Sequence, residues 1–216
     1  MVRGGGSEPR GSLVVTAPRL FGRMHILPIV SELLQLHPEL EVRLLLIDRM
    51  VGLVEEGIDV AVRIGELADS ALNATRVAEV GKVLSASPDY LERRGMPIAA
   101  ADLHDHDLVS FEGLASPQNE WRLGGPEKPV VRIHPRLSLN NADAAIAAAR
   151  QGLGITRTLS YQVAPHFADG SLVRVLPALE PQPVPVQLVF QAHRRSSANV
   201  RAFLDAAKRE LNGKSF

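Results

Sequence analysis

The chain has 216 residues, contains no cysteine, and carries 24 basic and 24 acidic side chains, for a formal net charge of zero at pH 7. The lack of cysteine excludes disulfides, thiolate zinc sites and cysteine nucleophiles. The balanced charge argues against binding to nucleic acid or to an anionic membrane by electrostatic attraction alone. With 45% hydrophobic residues, the chain can bury a full core, as one large domain or as two lobes of roughly 100 residues each.

The amino terminus predicts a flexible linker. Residues 1–11 are rich in glycine and charged residues, and they lack the apolar run of a secretory signal. No window of the sequence approaches the ~20 apolar residues that cross a bilayer. We therefore expect a cytoplasmic protein without a membrane partner.

Strand and helix patterns alternate through the first third of the chain. Apolar runs predict strands at residues 13–16, 42–47 and 59–64. Helical periodicity predicts a helix over residues 24–36 and a shorter one over 50–56, which Gly57 ends. This alternation favours a parallel sheet with helices on both faces.

The rest of the chain repeats this style with different elements. The patterns predict helices at 88–94, 142–151 and 197–211, and strands or extended segments at 75–86, 107–111, 121–123, 130–139, 154–157, 172–176 and 186–191. Residues 121–123 and 130–139 are expected to be antiparallel additions. A cluster of prolines between residues 177 and 185 predicts a linker.

Two strand-to-helix turns are the strongest functional signal. The first strand runs into Pro18, Arg19 and Leu20, and the strand at 137–139 runs into Asn140 and Asn141. Each turn presents free backbone N–H groups and the positive end of a helix dipole. Two such ends that face one another would form a clamp for a small anion. This arrangement favours ligand sensing over catalysis.

Several stretches resemble the effector-binding domain of LysR-type transcriptional regulators. They are GSLVVTAPRLFG, EGIDVAVRIG, DSAL, SPDYL, NNADAAIAAARQGLGI, LSYQVAPHFADGSLVRVLP and NVRAFLDAA. The resemblance covers nearly the whole chain from Gly11 onward. It implies an α/β, periplasmic-binding-protein-like fold of two Rossmann-like lobes joined by two crossover strands. Lobe I would comprise residues 12–81 and 187–213, and lobe II residues 82–186.

The resemblance implies the sensor part of a homodimeric regulator, which in full length is a dimer or tetramer. The effector would be a small organic molecule, anionic or polar, held between the lobes, and its binding would alter the packing of the subunits. DNA would be bound only through the family's N-terminal winged helix-turn-helix, which has no counterpart in this chain. No cofactor and no metal are expected. An alternative with the same fold is a solute receptor of a transport system, which conflicts with the lack of a signal peptide.

An enzyme is not expected, because the usual catalytic and phosphate-binding motifs do not occur. There is no G-x-S-x-G elbow, no Walker A motif, no G-x-G-x-x-G and no H-E-x-x-H. The run His104-Asp105-His106-Asp107 is more typical of a solvated turn than of a metal site, since no further ligand set is evident.

Position by position, the resemblance implies ligand contacts at the carboxyl ends of strands. They are Pro18, Arg19, Leu20, Ile47, Asp48, Ile64 and Gly65 in lobe I, and Phe111, Asn140, Asn141, Thr156 and Arg157 in lobe II. Because proline has no N–H, the amides of Arg19 and Leu20 must serve at the first turn.

Several of these residues have structural alternatives. Asn140 or Asn141 is also a natural N-cap for the helix that follows, and Arg19 can simply be solvated. Arg157 either fixes a carboxylate bidentately or pairs with Asp143. Trp121 is more typical of a core anchor than of a ligand platform.

The helix at 24–36 also predicts self-association. Its apolar residues cover an arc of roughly 180° at ~100° per residue, which is more than one sheet face needs. The surplus flank of Ile29, Leu33 and Leu36 would form an exposed patch, and so a dimer interface. The alternative is burial of this flank under the C-terminal helix of the same chain.

Overall fold

The computed structural model describes residues 8–49, 51–67, 73–111, 120–125 and 127–216. The chain divides into two compact units, one made of Met1–Glu79 with Pro185–Ser215 and the other of Val80–Val184 with Phe216. The boundaries expected from the resemblance, 81/82 and 186/187, lie slightly further along the chain. Each unit has its own sheet and its own core.

The elements are as follows. The strands are β1 (Gly11–Ala17), β2 (Leu40–Leu46), β3 (Val60–Ile64), β4 (Asn73–Val80), β5 (Lys82–Ala86), β6 (Leu108–Phe111), β7 (Glu120–Arg122), β8 (Val130–Arg132), β9 (Leu137–Leu139), β10 (Ile155–Leu159), β11 (Val173–Val175), β12 (Val184–Phe190) and β13 (Lys214–Ser215). The α-helices are α1 (Arg19–Phe21), α2 (Leu27–Leu36), α3 (Pro88–Arg94), α4 (Ala142–Arg150), α5 (Ser160–Ala168) and α6 (Ala198–Leu211).

The first unit is built on a six-stranded sheet in the order β13-β4-β12-β3-β1-β2. Strand β1 pairs in parallel with both β2 and β3, whereas β12 runs antiparallel to β3. The three predicted strands of the first third therefore form the parallel part of this sheet. Their carboxyl ends share one edge, where Ala17, Leu46 and Ile64 end the strands.

The helix after β1 begins earlier than the periodicity predicts. It starts at Arg19 and passes through a π-helical turn, Gly22–Ile26, before α2. Gly22 permits this path, because a Cβ there would lie only 2.2 Å from Cδ2 of Leu46 on β2. A single missing side chain thus allows the helix to approach the sheet closely.

Two predictions for the first unit are wrong. Residues 51–57 form turns rather than a helix. The segment between Gly52 and Gly57 is too short to offset the free-energy cost of helix nucleation. Met50 lies outside the described residues. The linker predicted over 1–11 ends too late, since Gly11 already begins β1. The amide of Arg10 donates to Oδ1 of Asn199 at 2.9 Å.

The flank proposed as a dimer interface is mostly internal. Ile29 and Leu33 are 2% and 4% exposed, whereas Leu36 is 61% exposed. Helix α2 packs against α6 of the same chain, and Arg209 on α6 bonds both carboxylate oxygens of Glu32 at 2.9 and 2.8 Å. The prediction of an exposed patch is therefore wrong for Ile29 and Leu33.

The second unit contains a five-stranded sheet, in the order β11-β5-β10-β6-β9, and the separate antiparallel hairpin β7-β8. The predicted extension over 130–139 is two elements: β8 belongs to the hairpin, and β9 joins the main sheet parallel to β6. Pro135 lies between them and disfavours a continuous ladder.

Helix α5 was not predicted from the sequence. Pro165 lies inside it, and proline in a helix interior is normally a breaker.

Burial of Asp59 ties the ends of β1 and β3 together. Its Oδ2 accepts the Val14 amide at 2.8 Å, and its own amide donates to the Val14 carbonyl at 2.9 Å. Oδ1 lies 3.1 Å from Nη1 of Arg194. The carboxylate is thus both a strand cap and half of an ion pair.

We predict that Asp59→Ala lowers the free energy of unfolding by about 2 kcal/mol, because the Val14 amide is left buried without an acceptor. Urea unfolding would measure the change. Asp205→Ala is the matched control, since Asp205 is exposed on α6, and it should shift stability by less than about 0.5 kcal/mol. Equal effects of the two substitutions would contradict the assignment.

Candidate anion-binding site

In the first unit, an acidic side chain of the protein already occupies the predicted helix terminus. Pro18 is the N-cap residue of α1 and provides no side-chain cap. The Arg19 amide donates to Oδ1 of Asp48 at 2.9 Å. Negative charge at a helix N-terminus is favourable, so Asp48 takes the position that the sequence analysis assigned to a ligand.

The other predicted contacts in this unit are held by neighbouring strands or by the core. Leu20 is half-buried, and Ile47 packs on the apolar cluster around Ala61. Ile64 pairs opposite Val186. The Gly65 amide donates to the Pro185 carbonyl at 2.9 Å, and the Gly65 carbonyl accepts Nε2 of Gln187 at 3.0 Å. The backbone groups of Gly65 are therefore engaged.

In the second unit, the two asparagines serve the helix that follows them. Oδ1 of Asn141 accepts the Ala144 amide at 2.9 Å, so Asn141 is the N-cap of α4. Its Nδ2 donates to Oδ1 of Asn140 at 3.1 Å. The capping interpretation of Asn141 is confirmed, and Asn140 orients the capping side chain.

Thr156 and Arg157 are neighbours in β10 but lie on opposite faces of the sheet, as successive strand residues must. Thr156 is fully buried, and its Oγ1 has no hydrogen-bond partner. It is paired in register with Val109, which packs with Phe111 against α4. The structure thus groups Thr156 with Phe111 and separates both from Arg157.

Arg157 is a buried cation that has no acidic partner among the described residues. It is only 4% exposed. Its Cζ lies 5.6 Å from the ring centroid of Trp121, its Nη1 donates to the Arg122 carbonyl at 3.4 Å, and its Nε has no partner. No acidic side chain of the described chain forms an ion pair with it, so the alternative pairing with Asp143 is wrong. Trp121 is confirmed as a core residue.

Burial lowers the pKa of Arg157 from its ordinary value to about 10. At about 1.4 kcal/mol per unit, this shift corresponds to roughly 3 kcal/mol against the charged form. At neutral pH the side chain nevertheless remains a cation. An anion beside the guanidinium would recover part of this cost.

Arg157 lines a cavity of about 400 Å³ in the second unit. The other lining residues come from β5, the β7-β8 hairpin and the segment before β12: Lys82, Arg122, Leu123, Gly124, Gly125, Lys128, Glu180, Pro181, Gln182 and Val184. Lys82 is paired in register with Leu159, so it lies diagonally across from Arg157 on the same face. Burial, and secondly repulsion from Arg157, lower the pKa of Lys82.

The positive charge of this cavity is not compensated by its one acid. Glu180 is already bound by Nη1 of Arg174, at 3.1 and 3.2 Å from its two carboxylate oxygens. Arg122 lies 3.7 Å from Glu120. Within the described part of the chain, Lys82, Lys128 and Arg157 form no ion pair. The cavity is therefore suited to an anionic guest.

Gly124 forms the wall between the hairpin and the segment before β12. Its amide donates to the Leu179 carbonyl at 2.7 Å, and a Cβ there would lie 2.0 Å from the Glu180 carbonyl oxygen. Only glycine allows the two segments to approach this closely. Across the loop, Lys128 adopts φ of 43°, a left-handed conformation that few non-glycine residues adopt.

Sequence reasoning found Arg157 but missed Lys82, Arg122 and Lys128. One signal was present: the chain has only four lysines, and two of them, Lys82 and Lys128, line this cavity.

The histidine and aspartate run at residues 104–107 has a structural role, since Nδ1 of His106 lies 3.1 Å from the hydroxyl of Tyr90. Among the described residues, no group of three or more potential ligands could hold a metal ion.

Comparison with known proteins identifies the family. Residues 6–212 match the family model described as the LysR substrate binding domain. The chain belongs to this family. The resemblance inferred from the sequence is thereby confirmed. Among the helices in the described ranges of the LysR-type domain, none combines the length and apolar character that a membrane span requires.

Known relatives of the LysR-type domain are transcriptional regulators. The HTH-type transcriptional activator TtdR of Escherichia coli is 33% identical over 172 residues, which are 79% of this chain and 56% of TtdR. The HTH-type transcriptional regulator PtxR of Pseudomonas aeruginosa is 31% identical over 218 residues, covering 97% of this chain and 67% of PtxR. This chain thus spans little more than half the length of TtdR.

The fold agrees with solved structures of the family. The full-length virulence activator AphB of Vibrio cholerae, a member of the LTTR family, superposes with a TM-score of 0.83 at 25% identity, covering 94% of this chain and 70% of AphB. The periplasmic-binding-protein-like α/β fold expected for the LysR-type domain is confirmed.

We predict that Asp48 stabilises the first helix mainly through its charge. Asp48→Asn keeps an oxygen acceptor for the Arg19 amide and should cost about 0.5 kcal/mol, whereas Asp48→Ala also removes the cap and should cost about 1 kcal/mol. Urea unfolding at low and high salt would measure both changes, and salt should reduce the cost of the asparagine substitution. Unchanged stability in both variants would contradict the contact.

Proposed function

We propose that this chain is the effector-sensing part of a LysR-type transcriptional regulator, and that its effector is a small organic molecule, anionic or polar. The observation that carries the chemical part of this proposal is the buried Arg157, whose Nε has no hydrogen-bond partner and which forms no ion pair with a described residue. Family membership over residues 6–212 supports the regulatory part. We assign DNA contact to a helix-turn-helix module outside this chain, because the net charge of this chain is zero and provides no general attraction to phosphates.

The mechanism proposed is a shift of population between conformations. A ligand changes such an equilibrium only by its difference in affinity for the two states. An anion in this cavity would provide such a difference in affinity. It relieves the repulsion between Lys82 and Arg157 only in the conformation in which both side chains contact it. The readout would be a change in subunit packing, and through it in DNA binding.

We also propose that the domain self-associates. The interface would be a face of the π-helical turn and α2 that differs from the face predicted from the sequence. Met24, Leu27 and Leu34 are 37%, 45% and 40% exposed. At ~100° per residue they fall within one arc of about 80°. Ile29, Leu33 and Leu36 occupy another arc, and the first two lie against the chain's own core. An exposed apolar stripe supports a protein partner, and a two-fold dimer is the commonest closed arrangement.

The dimer proposal predicts that Leu27→Asp yields a folded monomer, because a carboxylate would be buried without a partner in the stripe. Leu36→Asp is the matched control: its site is also exposed but lies on the other arc, and the dimer should persist. Light scattering at micromolar concentration would give the masses. A monomeric unmodified domain, or dissociation by Leu36→Asp alone, would contradict this interface.

The sensing proposal predicts that a small acid or polar compound stabilises the domain in a thermal-shift screen. A ligand at ~100 times its dissociation constant adds about 2.7 kcal/mol, or roughly 5–10 °C for a domain of this size. The same compound should alter operator binding by the complete regulator. Stabilisation only by neutral hydrophobic compounds would contradict the chemical class, and ligand binding without any change in DNA binding would contradict the regulatory role.

A further inference from the structure

The cavity of the second unit holds more positive charge than the protein itself neutralises. We propose that this cavity binds a compact dicarboxylate, with one carboxylate on the guanidinium of Arg157 and the other on the ammonium of Lys82. This proposal deepens the proposed function by naming the ligand class and a subsite within one unit. It rests on the proposed function in one respect: the dicarboxylate is taken to be the effector that the regulator senses.

The hydrogen bonds of Arg157 leave room for a carboxylate. A guanidinium has five N–H donors, and among the described residues one acceptor is found, the Arg122 carbonyl at 3.4 Å from Nη1. The Nε–H has no acceptor although it is buried. The two oxygens of a carboxylate match a guanidinium edge. The ring of Trp121, 5.6 Å from Cζ, positions the guanidinium without using an N–H in its plane.

Lys82 supplies the second cation at a suitable separation. It lies on β5 opposite Leu159, one diagonal step from Arg157 on the neighbouring strand. Side chains related in this way start about 7–8 Å apart at the backbone. Two carboxylates on a short carbon spacer reach both cations.

The size and lining of the cavity also favour a dicarboxylate over inorganic phosphate. A volume of about 400 Å³ lies within the usual range for small-molecule sites. Leu123, Pro181 and Val184 provide apolar surface for a carbon spacer. Glu180 does not compete for the cations, because Arg174 already holds it.

The test is calorimetry on the 216-residue chain, with succinate as the probe. Malonate and glutarate vary the spacer, inorganic phosphate tests a simple oxyanion, and succinamide is the neutral isostere. Succinate should bind with one site per chain. Arg157→Met and Lys82→Met should each weaken binding at least tenfold. Arg136→Met is the control, since Arg136 lies in the same unit with a side chain 78% exposed, and it should leave binding unchanged.

Stability measurements distinguish a ligand-binding arginine from a structural one. Without ligand, Arg157→Met should be at least as stable as the unmodified chain, because replacing an unpaired buried charge by an apolar side chain removes a desolvation cost. With succinate, the unmodified chain should gain thermal stability and the variant should not. Loss of stability in the ligand-free variant, together with unchanged succinate affinity, would overturn the proposal.

The remaining outcomes distinguish failure of the ligand class, of this site and of the proposed function. Equal affinity for succinate, phosphate and succinamide would overturn the ligand class. Succinate binding that never alters DNA binding by the complete regulator would uphold this site and defeat the proposed function. No dicarboxylate binding, combined with a different effector found by the thermal screen, would overturn this site and leave the proposed function standing.

Discussion

The second unit contains a buried positive charge for which the described residues provide no counter-charge, and the proposed site depends on this imbalance. Arg157 lies in β10, a strand whose side chains are all buried, and its guanidinium rests beside Trp121 with most of its donors unused. Burial of such a group is unfavourable unless something compensates for it. Gly124 forms one wall of the cavity by its close approach to the segment before β12, and Arg174 binds Glu180, the acid among the described lining residues. These features have a common explanation if an anion completes the site.

The first unit treats charge in the opposite way. Its helix N-terminus after β1 is neutralised internally, because Asp48 accepts the Arg19 amide. Asp59 is likewise satisfied by the Val14 amide and by Arg194. Cations that lack a partner are found among the residues of the second unit. In the proposed account, lysine and arginine side chains of the second unit recognise the ligand, rather than the paired helix dipoles that the sequence suggested.

Local patterns predicted much of this fold. Apolar runs located the parallel strands, and the helix predicted at residues 88–94 agrees with α3. The patterns failed where tertiary contacts overrode local preference. Pro165 concealed α5, and the early start of the first helix depends on Leu46 packing against Gly22. For the site, the motif led to Arg157, but strand alternation alone did not show that Thr156 faces α4. Nor did it show that Lys82, distant in sequence, shares a face with Arg157, since this follows only from the register of β5 and β10.

The central claim is that the cavity binds an anion, and that this anion pairs with the guanidinium of Arg157. Nitrogen-15 NMR of the arginine Nε–H groups measures this directly, since the Arg157 signal reports its hydrogen bonding and its exchange with water. On titration with succinate, the account predicts a specific shift of the Arg157 Nε–H resonance and slower exchange of that proton, while exposed arginines stay unchanged. An Arg157 signal that is already protected without ligand and does not respond to any dicarboxylate would contradict the account.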